Sequence, residues 1–192
     1  MLNTHVRAWC LGALCLASAT AWSQAAPNAP QAAANAAARP APLAPIAAPK
    51  GKVILVISGS IDQSNVQGGA KRVELDAQAL DALPVHQIKT GTPWHKEVVT
   101  FSGPRLSDLL ALVGARGENL QIKALNDYQV KVPVADAAKY EPILARKIDG
   151  NPLSIREKGP LFMMYPFDAH PELRNDIYFG RAIWQIATID VK

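Results

Sequence analysis

Past residue 50 the chain breaks into short stretches whose apolar positions alternate or run together, with Gly, Pro, Asn and Asp between them. That is the rhythm of strands joined by turns. Residues 53–58 form a β-branched run ended by Gly59, which predicts a buried strand followed by a loop around Asn65, Gly68 and Gly69. Over residues 76–83, Ala79, Leu80 and Leu83 fall at helical spacing ahead of Pro84, predicting a short helix capped by Asp76. Residues 85–89 and 97–101 read as the next strands, joined by the loop 90–96. After Gly103 and Pro104, the side chains of Leu106, Leu109, Leu110 and Val113 share one helical face, and Gly114 closes that helix.

Residues 120–125 alternate, Asn126 and Asp127 turn the chain, and residues 128–132 alternate again, which describes a hairpin. A short helix over 135–140 is stopped by Pro142. Residues 143–148 read as a strand running into the tight turn Asp149-Gly150-Asn151, because Asp-Gly supplies the positive φ that such a turn requires. Residues 161–165 and 183–191 complete the strands. With many strands, few short helices and no regular alternation between them, the expected class is α+β, a mostly β core of mixed strands.

The first 50 residues do not share this rhythm. Residues 1–7 carry a positive charge at Arg7, residues 8–19 are apolar, and small residues follow at Ala21, Ser23 and Ala25. The apolar run is shorter than the about 20 residues a membrane-spanning helix needs and has the length of a signal-peptide core. A signal peptide over 1–23 is therefore expected, with cleavage after Ser23 or Ala25, leaving a periplasmic or secreted protein with no stable membrane span. Residues 24–50 are rich in alanine and proline, offer no face to bury, and read as a disordered linker. The folded domain is expected over 51–192.

Chemistry is constrained mainly by what is scarce. The chain has two cysteines, Cys10 and Cys15, both inside the expected signal peptide, so the processed protein has no thiol. Its net charge is +4, with acidic and basic residues interleaved, and no basic run tracks a phosphate backbone, so nucleic acid is not an expected partner. His86, His95 and His170 show no metal-ligand spacing, no Gly-x-Ser-x-Gly elbow exists, and Gly68-Gly69 with Lys71 lacks the Walker spacing. No catalytic and no metal-ligating residue is expected. Phe162, Met163, Met164 and Trp184 are expected in the core.

The polar and aromatic residues at strand ends and loops are Thr90, Trp94, Asn126, Asp127, Tyr128, Lys158 and Arg181. Their setting carries a resemblance. Ile88-Lys89-Thr90-Gly91-Thr92-Pro93-Trp94, then Phe101-Ser102-Gly103-Pro104-Arg105-Leu106-Ser107-Asp108-Leu109-Leu110, then Asn126-Asp127-Tyr128, Asp149-Gly150 and Lys158-Gly159-Pro160, in that order, are similar to the molybdopterin-binding domain of the sulfite oxidase family. The resemblance covers most of residues 53–192. It implies a sulfite-oxidase-type domain with a molybdopterin cofactor whose metal is gripped by one cysteine thiolate at the end of the strand before the tryptophan loop. Thr90 stands in that place. A threonine hydroxyl stays protonated near neutral pH and is a poor substitute for a soft anionic thiolate.

The resemblance and the missing thiolate together lead to the expectation of a divergent, non-catalytic member that binds a small anionic ligand or an extracytoplasmic protein partner through those seven residues, as a sensory component. The alternative is a molybdopterin-dependent oxidoreductase whose metal is held by the pterin alone. Each residue also has a simpler role open to it. Asn126 and Asp127 form turns unaided, Lys158 can be merely solvated, Arg181 can pair with a carboxylate, and Trp94 and Tyr128 can cover the core edge.

Overall fold

The computed structural model describes residues 45–192; the expected signal peptide and residues 24–44 of the expected linker lie outside them. Strand β1 (Val53–Gly59) is flanked on one side by antiparallel β2 (Arg72–Asp76) and on the other by parallel β11 (Ile186–Val191). Beyond β11 come β5 (Asn119–Ala124) and β6 (Gln129–Pro133), giving a mixed five-stranded sheet in the order β2-β1-β11-β5-β6. The alternation read in the sequence sets its register. Leu55 and Ile57 of β1, Leu120 and Ile122 of β5 and Ile189 of β11 are all buried.

Helix α1 (Ala77–Asp81) follows β2 directly, because the Asp76 carboxylate accepts the N–H of Ala79 and starts the turn. Helix α2 (Leu106–Val113) buries Leu106, Leu109, Leu110 and Val113 and ends on Gly114 in the left-handed region, φ 63°. Truncating such a buried leucine to alanine costs about 2–5 kcal/mol. A second, four-stranded antiparallel sheet runs β3 (His86–Thr90), β4 (Val99–Gly103), β8 (Lys147–Ile148), β9 (Asn151–Pro152). Short β7 (Ile143–Ala145) pairs with β10 (Phe162–Met164). Gly103 is required where β4 meets β7, since a Cβ there would lie 2.0 Å from the carbonyl oxygen of Leu144. Helices α3 (Ala135–Lys139) and α4 (Asp176–Arg181) complete the set, the latter capped by Asn175, whose side chain accepts the N–H of Ile177 and Tyr178.

The α+β, mostly β architecture is the one the sequence predicts. Three departures are local. The single strand expected over 143–148 is divided into β7 and β8, which pair with different neighbours. Strand β2 lies where a loop and a helix start were expected, and α4 has no counterpart in the predicted elements. The Asp149-Gly150 turn is present, with φ 46° and 81°, joining β8 to β9.

The residues ahead of β1 are fastened to the domain. The N–H groups of Lys50 and Gly51 both donate to Asp76 Oδ2, at 2.8 and 2.9 Å. The Asn65 side chain donates to the carbonyl of Ala47 at 2.9 Å, and Ile46 packs against the core. The expected boundary between residues 50 and 51 falls inside this fastened stretch.

Candidate functional site

The loop after β3 carries Trp94 inward. Its ring meets Phe162 of β10 at 5.7 Å, Phe179 of α4 at 6.0 Å and Trp184 at 5.8 Å, each edge-on. Across from it the β5–β6 hairpin turn is held by Asn126, whose side-chain oxygen accepts the N–H of Tyr128 at 3.3 Å, with Asp127 left-handed at φ 66°. The N–H of Leu125 donates to the carbonyl of Gln185 at 2.9 Å, which ties this turn to the segment carrying Trp184. Between them opens a cleft of about 430 Å³. Trp94, Trp184, Phe179 and Tyr128 supply its rings, Asn126 its amide, and Gly180 an unfilled side.

The seven expected residues do not converge as a set. Trp94, Asn126 and Tyr128 share the aromatic cleft. Asp127 points away and pairs with Lys123 at 2.6 Å, which holds its carboxyl below the usual range through hydrogen bond and charge. Arg181 is turned to the interior, where it donates to Asp136 at 2.8 Å beside the hydroxyl of Tyr165, itself 3.0 Å from the same carboxylate oxygen. Burial, reinforced by the Asp136 charge, pushes the Tyr165 phenol well above its ordinary value. Lys158 lies in a second cavity of about 460 Å³ with His95 and Arg156, together with Asp149 and Glu157. Burial, with the Lys158 charge added, lowers the His95 pKa, and its Nδ1 lies 2.8 Å from Thr92 Oγ1.

Thr90 lies in neither cavity. It is fully buried at the end of β3, and its hydroxyl is engaged by the backbone: Oγ1 accepts the N–H of Asp168 at 3.1 Å and faces the Gly91 carbonyl at 3.4 Å. The Asp168 carboxylate returns the contact, accepting the N–H of Gly91 at 2.8 Å and the Arg174 guanidinium at 2.6 Å. A latch of four residues thus closes over position 90.

Residues 68–168, just over half of the chain, match the family model described as the oxidoreductase molybdopterin binding domain. The chain belongs to that family. A solved structure of the sulfane dehydrogenase SoxCD from Paracoccus pantotrophus matches this molybdopterin-binding domain with a TM-score of 0.51 at 13% identity. The match covers 71% of this chain and 37% of that one, so the domain corresponds to a little over a third of the larger protein. No curated protein matches the chain. The family and the fold are those the sequence resemblance implies.

In this molybdopterin-binding domain, the donor set at the expected metal anchor does not fit a protein-held molybdenum. Position 90 offers a buried neutral alcohol already hydrogen-bonded, and no group of three or more His, Cys, Asp or Glu side chains is gathered for a metal among the described residues.

Sequence reasoning missed two things. Trp184, expected as core, is half-buried and forms a wall of the cleft while packing on Phe162 and Trp94; its place depends on Gln185, which reaches both the hairpin turn and Lys158. Asp168 and Arg174, which close the latch, pair with each other six residues apart, but the Thr90 and Gly91 groups they hold lie 77 or more residues away along the chain, so no local signal marked them.

Proposed function

We propose that the chain is an exported, non-catalytic binding module on the molybdopterin-domain scaffold, acting as a sensory component that takes a small anionic ligand or an extracytoplasmic protein partner. The observation that carries this reading is Thr90. The family's metal is held through a thiolate at that place, whereas here a hydroxyl holds the Asp168 backbone instead. An anion is best served by the second cavity, where Lys158 and Arg156 supply cationic donors beside the neutral His95 ring, balanced in the free protein by Asp149 and Glu157. Export is supported by the amino-terminal pattern alone.

The experiment is to purify the processed protein from cells that make the molybdenum cofactor and to measure bound metal. Well under one molybdenum per chain is expected. Stoichiometric metal would establish the rival, an oxidoreductase with the metal held by the pterin alone. On the metal-free protein, phosphate or molybdate is expected to raise the melting temperature, with the rise lost in Lys158→Gln.

A further inference from the structure

The aromatic cleft takes no part in the proposed function, which rests on Thr90 and the Lys158 cavity. Its rings are locked against one another. Trp94 packs edge-on against both Phe179 and Trp184, and Phe162 backs both tryptophans at 5.7 and 6.0 Å. The walls therefore need little rearrangement on binding. No Asp, Glu, Lys, Arg or His side chain lines the cleft. A charged group entering it would lose hydration without gaining a countercharge, while a flat apolar surface would gain by leaving water.

Among lining side chains that also include the Tyr128 hydroxyl and the indole N–H groups of Trp94 and Trp184, Asn126 supplies the one amide and gives the cleft a direction. Asn126 commits its oxygen to the N–H of Tyr128, and its amide nitrogen has no partner among the described residues. The cleft thus presents a donor and asks for an acceptor. Its width depends on Gly180, where an added Cβ would meet nothing within 4 Å. Exposed Tyr128 lines the opening, with the exposed side chains of Leu125 on the hairpin turn and Ile177 on α4 in the segments that bear it.

We propose that this cleft is a binding site for a flat, uncharged heteroaromatic ring carrying a carbonyl or ring-nitrogen acceptor, the ring lying among the aromatic walls and the acceptor meeting the Asn126 amide. Pocket volume, aromatic lining and a small number of polar groups are together the features of a small-molecule site.

The test uses the chain's own reporters. Of four tryptophans, Trp9 and Trp22 fall within the expected signal peptide, so the processed protein fluoresces only from Trp94 and Trp184, both in the cleft. Caffeine, a soluble, uncharged bicyclic ring with carbonyl acceptors and no N–H donor, is titrated against it and followed by fluorescence and calorimetry. Saturable quenching with a Kd of about 1 mM or tighter is expected. Gly180→Leu, which fills the cleft, and Asn126→Asp, which keeps the turn acceptor but removes the donor, should each weaken binding by about tenfold or more at unchanged melting temperature. Non-saturable quenching, or equal affinity in both variants, overturns the assignment. So does binding of a tryptophan-containing peptide with none of caffeine, which would give the cleft to a protein partner. Molybdenum is measured on the same preparation. Metal-loaded protein that binds caffeine removes the non-catalytic reading and leaves this one, and metal-free protein that ignores caffeine does the reverse.

Discussion

Thr90 and Asp168, 78 positions apart, hold each other's backbone: Thr90 Oγ1 accepts the N–H of Asp168, and the Asp168 carboxylate accepts the N–H next to Thr90, that of Gly91. The arrangement joins the end of β3 to the loop after β10 through side chains that are short and, at position 90, fully buried. Removing the hydroxyl while keeping the shape isolates its contribution. Thr90→Val should leave the Asp168 N–H unpaired and lower stability by about 1–3 kcal/mol in urea unfolding, with Thr90→Ser recovering most of it. Equal midpoints for Val and Thr would show that the bond is not formed in solution.

The same position provides a thiol probe. Both cysteines of the chain, Cys10 and Cys15, precede residue 24, so a protein begun there with Thr90→Cys would carry a single one, placed beneath the latch. Its reaction with a thiol reagent should be slower than in the unfolded chain by about a hundredfold or more, since the thiol must wait for local opening. Arg174→Ala, which frees one side of Asp168, should speed the native reaction. Labelling at the unfolded rate would mean that position 90 faces solvent.

Alkaline pH tests the interior carboxylate. Tyr165 gives up its proton in the unfolded chain near 10.0, whereas burial and the Asp136 charge keep it protonated to higher pH in the folded domain. Its contribution is therefore complete below pH 10 and is lost as pH rises further, by up to about 1.4 kcal/mol per pH unit. Stability measured in urea between pH 9 and 11.5 should fall more gently in Tyr165→Phe than in the wild type. Identical slopes would show that the phenol ionises freely in the folded domain.

Acid acts on Asp76. The N–H groups of Ala79, Gly51 and Lys50, in that order of effect, hold the Asp76 carboxyl below its ordinary value. Stability from this group is present above its unfolded pKa, near 3.8, and disappears as pH drops through the lower folded value. Asp76→Asn should lower the melting temperature at pH 7, flatten its decline between pH 4 and 2, and speed hydrogen exchange at Lys50 and Gly51. Unchanged exchange at those two amides would show that Asp76 caps α1 without holding the preceding chain.

Local pattern made much of this domain legible. The stripe of Leu106, Leu109, Leu110 and Val113, the alternation about Ile122, and the Asp149-Gly150 turn each carry their reason within a few residues. The cleft was half legible. Trp94, Asn126 and Tyr128 stand out as loop aromatics and turn formers, but the sequence cannot say that Arg181 turns toward Asp136, 45 residues away, or that Lys158 faces His95 instead of Trp94. Strand β2 was missed although Val73 and Leu75 alternate and are buried, because the run is five residues long and ends on Asp76, which the helix start claims as its cap. Helix α4 was missed because Gly180 near its end weakens the helical pattern, and its start depends on the Asn175 cap.

The clasp of Lys50 and Gly51 on Asp76 lies immediately upstream of β1, a strand with partners on both sides. A pull arriving from the amino-terminal side would thus be felt first where Ile46 packs and Asn65 holds Ala47, next by two amides shared with a helix cap, and then as shear along a parallel pairing in the body of the sheet. The few bonds of this joint are independent of the sheet's ladder, so residues 46–51 can part from the domain while the strand pairing stays whole.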